Sequence, residues 1–283
     1  MSAGATGTAP AAISVIIPAS NEGAWIVPCL RALLASDGVT LQVIVAANAC
    51  TDDTVARAAA LGPDFTARGW RLEVLDRPQP GKPGALNAGD AAARHPLRAY
   101  LDADVTVSPG LMGQLAAALA GPGARYASGN PQVTAQGVAA RAYARLWRQL
   151  PFVTDDVPGF GLFAVNAPGR ARWGEFPDII SDDTFVRLHF APDERVRVAA
   201  GYDWPMVQGL RRLIRVRARQ DRGVAEIAAA YPQLLANDTK RRPGKGWLIR
   251  RALTDPVAFG TYGLVTLAVR AGLGGQSGWV RGR

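Results

Sequence analysis

Apolar, β-branched runs alternate with helix-periodic segments four times within residues 13–119, and few folds accommodate that pattern. Residues 13–17 (ISVII), 41–47, 71–75 and 99–101 read as strands. Residues 22–35 follow the first strand with Trp25, Ile26, Cys29, Leu30, Leu33 and Leu34 at helical spacing. Thr51 to Thr54 supplies a cap and an acidic first turn for a helix reaching Leu61, and residues 83–94 and 109–119 are further helices. Strands that alternate with helices build a mostly parallel sheet covered on both faces, an α/β fold. Such sheets bind ligands beyond the carboxyl ends of their strands. The polar clusters ASNE, NACTDD and DADV stand there, after the first, second and fourth strands.

The second half is less regular. Residues 126–133 and the glycine-containing run 159–165 (GFGLFAV) read as strands, and residues 139–150, 205–220 and 222–230 as helices, with a capped helix start at Ser181.

The fourth strand ends in two carboxylates, Asp102 and Asp104. In an extended chain residues i and i+2 share a face, so the two charges would point together and repel. A hard divalent cation resolves that repulsion and commonly shares its shell with substrate phosphates. The competing reading is a solvated turn at a strand end, where Asp is common.

Charge separates the chain into two parts. Residues 1–192 carry 15 Lys and Arg against 16 Asp and Glu, a net of −1; residues 193–283 carry 17 against 7, a net of +10. A basic end implies an anionic partner: phosphates, an anionic lipid surface or nucleic acid. No helix-turn-helix, zinc or RNA-binding signature accompanies the charge, so nucleic acid is not expected. Cys29 and Cys50 lack metal-ligand spacing and read as free thiols of a reducing compartment. Residues 1–12 are small and polar and read as a disordered tail without leader character, and no apolar run reaches the ~18–20 residues of a spanning helix. The expected location is cytoplasmic, with the basic end able to attach the chain peripherally to the inner face of the cell membrane.

VIIPASNE, VIVAANACTDDT, GKPGALNAG, LDADV and SDDTFVRL, in that order over residues 13–190, resemble the family 2 glycosyltransferases of GT-A fold. The resemblance implies a GT-A domain over 13–203, with a nucleotide-binding half (13–107) and an acceptor half (108–203), followed by a helical basic extension over 204–283. It implies inverting transfer of a sugar from a nucleotide-diphospho-sugar, UDP-sugar favoured, to a hydroxyl of a glycan or lipid-linked acceptor in bacterial cell-surface glycan or exopolysaccharide synthesis. The cofactor it implies is Mn²⁺ or Mg²⁺.

It also implies roles. Pro18, Ala19, Asn21 and Glu22 line the nucleotide, with Glu22 near base or ribose; as a plain residue Glu22 is also a helix N-terminal carboxylate. Asn48 stands where many relatives carry a base-reading Asp, and Ser20 where they often place a Tyr, which leaves the base open among uracil, guanine and thymine. Asp52 joins the nucleotide set, or serves only as a first-turn acid. Gly81, Lys82 and Asn87 sit beside the nucleotide and pyrophosphate, where a helix start and a cation favour phosphate. Asp102 and Ala103 contact the ribose side, and Asp104, supported by Asp102, ligates the metal.

Asp183 matches the general base and Asp182 its acidic neighbour; the competing reading makes both capping carboxylates. Arg187, four residues on, is placed to pair with Asp183. Gly159, Phe160, Gly161, Trp147 and Trp173 are acceptor candidates. Arg211, in the Gln208-x-x-Arg211-Arg212 run, and Lys245, in KRRPGKGW, are candidates for acceptor or diphosphate. Processive members of the family have Trp where Arg212 stands, so a polymer-extruding synthase is not expected. His95 and His189 read as structural. Two other functions compete: a sugar-1-phosphate nucleotidyltransferase, which wants basic residues directly after the first strand where PASNEGAW has none, and a catalytically silent sugar-nucleotide-binding protein.

Overall fold

The computed structural model describes residues 10–275. Most of the expected tail, residues 1–9, lies outside the described residues, but Ala11 and Ala12 already belong to the first strand. The order is β1 (Ala11–Ala19), α1 (Ile26–Leu34), β2 (Val39–Asn48), α2 (Thr54–Ala59), α3 (Gly62–Ala67), β3 (Arg71–Arg77), α4 (Lys82–Ala92), β4 (Leu97–Leu101), β5 (Thr106–Val107), α5 (Leu111–Ala118), β6 (Tyr126–Ala135), α6 (Val138–Trp147), α7 (Pro151–Thr154), β7 (Leu162–Val165), α8 (Ala167–Arg170), α9 (Asp182–Leu188), β8 (Arg195–Met206), α10 (Leu210–Ala230), α11 (Lys245–Thr254) and α12 (Pro256–Arg270).

One eight-stranded sheet runs β3-β2-β1-β4-β7-β6-β8-β5. β3, β2, β1 and β4 are parallel neighbours, as alternation with helices requires. Beyond β4 the sheet is mixed: β7 is antiparallel to β4 and β6, while β6 and β8 are parallel. Alternate side chains of β1 and β2 separate two apolar layers. Ile13, Val15, Ile17, Val43 and Val45 share one apolar layer with the buried residues of α1 and α5, whereas Ile16 and Ile44 share the other with Leu86 of α4 and Phe185 of α9. A third layer joins α6 to the C-terminal helices through Tyr143, Trp147, Leu213 and Val265.

The structure departs from the sequence reading at several places. β8 is the longest strand, twelve residues, and was missed despite the period-two run RVRV at its start. It takes in Pro205 and Met206, which were read as helix, and residues 210–230 form one helix rather than two. The helix expected to reach Leu61 stops at Ala59 and a separate α3 follows. Residues 159–161 do not extend β7, because Gly159 and Gly161 hold positive φ of 69° and 74°. Asp102 and Asp104 stand in a turn between β4 and β5, closed by the Val105 N–H to Asp102 carbonyl bond of 3.1 Å, and not on an extended face.

Candidate active site

The polar residues after β1 and β2 hold the loops to one another. The Asn21 side-chain oxygen accepts from the backbone N–H of Thr51 (2.6 Å) and Asp52 (3.1 Å). Asp52 accepts from Gly23 N–H and Thr54 N–H, each at 3.1 Å, and Glu22 N–H donates to Thr54 Oγ1 at 2.8 Å. Asn48 is buried; its amide donates to the Ala19 carbonyl (2.9 Å) and accepts from Gly81 N–H (3.2 Å), tying β1, β2 and the loop before α4 into one unit. Asn21 and Ala49 both hold positive φ, 54° and 47°, a conformation Asn tolerates and Ala adopts only under constraint. Each end of the Asn48 amide thus makes one bond within the protein, so the side chain is held in a fixed orientation. The same holds for Asn87, whose amide makes a two-way clamp on the Phe176 backbone (2.7 and 3.1 Å).

The carboxylates converge on a lysine. Lys82, the first residue of α4, places its ammonium 2.9 Å from Asp102 and 3.1 Å from Asp182. Burial works against its charge, but Asp102, Asp182 and Asp183 outweigh burial and push its pKa up. Burial raises the Asp182 pKa; Lys82 opposes that shift, and Asp183 and Asp102 reinforce it. Asp182 and Asp183 open α9, where the helix end favours negative charge, and Asp183 Oδ1 accepts from Thr184 N–H at 2.6 Å. Asp102 N–H donates to the Gly161 carbonyl at 2.9 Å, which fastens the acidic turn to the glycine-containing segment before β7.

Arg187 does not reach Asp183. It pairs with Asp156 (2.6 Å) and Asp238 (3.2 Å), and Arg195 also holds Asp156 at 3.2 Å. Sequence reasoning missed Asp156, since nothing nearby in the chain signals a partner 31 or 39 residues away.

Pro18, Lys82, Asp102, Asp104, Asp182 and Asp183 all line one cavity of about 560 Å³. Its other wall is aromatic: Trp147 stacks on Trp204 at 5.5 Å and 15°, with Phe160 edge-on to both. Gly159, Phe160, Gly161 and Trp147 are therefore brought together with the acids. A side chain at Gly161 would strike Trp204, its Cβ falling 2.6 Å from Cδ1. Trp204 was missed along with β8. Trp173 instead packs in the interior with Phe176 and Phe190. Arg211 and Lys245 are exposed and lie outside the cavity lining; Arg217 and the run Lys240, Arg241, Arg242 line it instead. Ala19, Asn21, Glu22, Asn48, Asp52, Gly81, Asn87 and the buried Ala103 do not line the cavity. His189 bonds the Phe185 carbonyl at 2.9 Å, a structural contact.

The acidic wall suits a hard cation. Asp102 and Asp104 flank one short turn, and the Lys82 ammonium already lies between two of the carboxylates, so positive charge is what the cluster requires. Among the described residues no three His, Cys, Asp or Glu side chains gather at metal-ligand spacing. Asp102 and Asp104 are the two carboxylates that could hold an ion here, and substrate phosphates and water commonly complete such a shell.

A sequence profile described as Glycosyl transferase family 2 matches residues 14–171. The succinoglycan biosynthesis protein ExoO of Rhizobium meliloti (strain 1021) is 36% identical over 192 residues, covering 67% of this chain and 53% of that protein. The chain thus spans about half the length of that relative. Mannosyltransferase PcManGT from Pyrobaculum calidifontis, solved in complex with GDP-Man and Mn²⁺, superposes with a TM-score of 0.56 at 23% identity, covering 95% of this chain and 76% of its own. Glucosyl-3-phosphoglycerate synthase from Mycobacterium tuberculosis, solved with Mn²⁺, UDP and phosphoglyceric acid, gives 0.52 at 23% identity, covering 77% and 78%. At these identities the superpositions establish the fold: α/β, GT-A-like, with a C-terminal helical extension. The profile match covers more than half of the chain and takes in Lys82, Asp102 and Asp104, and the chain therefore belongs to glycosyl transferase family 2.

Proposed function

We propose that this chain is an inverting, metal-dependent glycosyltransferase. It moves a sugar from a nucleoside-diphosphate donor, a UDP-sugar by preference, to a hydroxyl of a glycan or lipid-linked acceptor in bacterial cell-surface polysaccharide synthesis. The observation that carries this reading is Lys82, whose ammonium joins Asp102 and Asp182 in a cavity that Asp104 and Asp183 also line. Neighbours solved with Mn²⁺ and GDP-Man or UDP support the donor class, and the likeness to a succinoglycan biosynthesis protein supports the pathway class.

Each residue then has a task. Asp102 and Asp104 would hold Mn²⁺ or Mg²⁺ beside the donor diphosphate. When bound, the ion supplies positive charge that stabilises the departing nucleoside diphosphate. Lys82 keeps its proton and adds a fixed positive charge beside the same oxygens. Asp182 anchors Lys82. Asp183 commits Oδ1 to the Thr184 N–H, and Oδ2 takes the proton of the acceptor hydroxyl. The acceptor oxygen attacks C1 of the sugar opposite the leaving diphosphate, and the anomeric configuration inverts.

The C-terminal helices support a further part of the reading, attachment from the cytoplasmic side to the anionic inner face of the cell membrane. Ile249, Leu253, Leu264 and Leu267 are exposed, with Lys245, Arg250 and Arg270 exposed on the same two helices. Among the described residues no helix is long and apolar enough to cross a membrane.

A thermal-shift series with UDP, GDP and dTDP, each with and without Mn²⁺, tests the donor reading. At least one nucleotide should raise the melting temperature only when the ion is present. Absence of any ion-dependent shift across the series would sink it.

A further inference from the structure

Two charge systems line the cavity, and part of the basic one forms no ion pair inside the protein. Asp102 and Asp182 share Lys82. The basic run Lys240, Arg241, Arg242 is different. Each carboxylate near it is already taken by another arginine: Asp156 by Arg187 and Arg195, Asp238 by Arg187, and Asp221 by Arg217 at 2.8 Å. Among the described residues none of the three cations forms an ion pair with a carboxylate within 4.0 Å. Asp238 and Asp221 act on Lys240 only from beyond ion-pair distance, and the run leaves an excess of positive charge on the cavity wall, a state that favours an incoming anion.

Position says which substrate meets them. The Lys240 ammonium lies 5.3 Å over the Phe152 ring, and Phe152 packs edge-on against Trp147 at 5.3 Å. Trp147 in turn stacks on Trp204. The run is thus tied to the aromatic wall, while the donor's cation site and Lys82 form the acidic wall. The chain leading into the run is anchored: Thr239 Oγ1 donates to Asp156 at 2.9 Å and the Asn237 amide donates to the Leu188 carbonyl of α9 at 2.9 Å. A lysine and two arginines beside aromatic faces have the chemistry that suits a sugar bearing a phosphate.

We infer that the acceptor is a phosphorylated sugar or glycan, its ring on the Trp147 and Trp204 wall and its phosphate on Lys240, Arg241 and Arg242. This rests on the glycosyltransferase reading and names the acceptor class for that site.

The test uses the full chain saturated with Mn²⁺ and whichever nucleoside diphosphate it binds. Glucose, mannose and galactose are titrated against their 6-phosphates, with tryptophan fluorescence as the readout and inorganic phosphate as a further arm. At least one hexose phosphate should bind ten-fold or more tighter than both its neutral parent and inorganic phosphate. The variant R241A/R242A should lose that preference by about ten-fold while nucleoside diphosphate affinity changes less than two-fold. These arginines are at the surface, and circular dichroism checks that the fold is kept. Equal binding of neutral and phosphorylated sugars, or equal binding of inorganic phosphate, overturns the inference. So does a variant that weakens nucleoside diphosphate instead, which would move the run to the donor. Failure of any nucleoside diphosphate to bind with Mn²⁺ marks a different fault, in the donor reading itself.

Discussion

The sheet-building first part of the chain and its C-terminal helices are constructed on opposite terms. In the central strands β1 and β2 the large apolar side chains are sealed: Ile13, Val15, Ile16, Ile17, Val43, Ile44 and Val45 are fully buried, and the polar residues at the strand ends are tied to one another. In the extension, α11 has no buried residue, and Leu248, Ile249, Leu253, Val257, Leu264, Leu267 and Leu273 are all exposed. The first part makes a rigid frame from backbone ends and aims a few acids from it. The extension adds side chains to that frame: cations on the inside of the cavity, leucines on the outside of the molecule. Under the proposed function, chemistry falls to the frame and delivery of substrate to the extension.

Breaking the frame should therefore cost the most. Asp104→Ala is expected to abolish Mn²⁺-dependent stabilisation by nucleoside diphosphate with the fold intact. Transfer should fall by roughly 10³-fold or more, since an ion at a leaving diphosphate supplies several kcal/mol. Retention of ion-dependent nucleotide binding by the variant would remove Asp104 from the site. Asp183→Asn keeps size and removes the proton acceptor, so turnover should drop by roughly 10²- to 10⁴-fold with donor affinity unchanged. Near-parental turnover would move the base elsewhere, Asp182 being the first alternative.

The joint between the two regions is Asp156, and its loss should be read in stability. It receives Arg187 and Arg195, whose side chains are 8% and 0% exposed, and the Thr239 hydroxyl at the start of the basic run. Removing one member of a buried ion network strands the others, at about 3–5 kcal/mol. Asp156→Ala should lower the melting temperature by roughly 10 °C for a chain of this size. It should also weaken any phosphorylated acceptor more than the nucleotide. A variant as stable as its parent would show that the extension is held to the frame without Asp156, by its apolar layer and by contacts such as Arg145 with Asp255.

How much of this was legible follows the same division. The parallel core was readable because its signals are local: ISVII is a strand by composition, and acids after strands mark ligand-binding ends. Lys82, Asp182 and Asp183 were singled out by the family resemblance rather than by a local signal, and they line one cavity with Asp102 and Asp104. What was hidden depends on long-range pairing. The Asn87 amide is consumed by Phe176, 89 residues away, and Arg187 prefers Asp156 to the carboxylate four residues before it. The turn at Asp102 to Asp104 is fixed by the Gly161 carbonyl, which an i, i+2 argument cannot see. β8 is the exception: its RVRV alternation was local and was passed over, and with it went Trp204.

The smallest expected effect tests the outward face of the extension. Ile249 and Leu253 stand four apart on α11, and Leu264 and Leu267 three apart on α12, so each helix shows an apolar stripe. Asp255, between these helices, is taken by Arg145 at 2.7 Å, which holds its carboxyl down to about 2 and leaves no free acid on either helix. A second copy of the chain pressed against this face would bring its own arginines against these, a costly like-charge contact. An anionic bilayer meets both the leucines and the cations. Each Lys or Arg near such a surface is worth about 1 kcal/mol. Replacing Lys245 and Arg250 with Ser should then weaken partition onto phosphatidylserine-containing vesicles by roughly 30-fold, at 1.4 kcal/mol per ten-fold. Flotation of the parent should require anionic lipid and fade as salt rises, because surface charges are screened within about 8 Å at physiological ionic strength. Donor binding should be untouched, since both residues lie outside the cavity lining. A parent that fails to float, or floats equally on neutral vesicles, would leave the stripes to another protein surface, and a concentration-dependent sedimentation coefficient would identify that surface as its own copy.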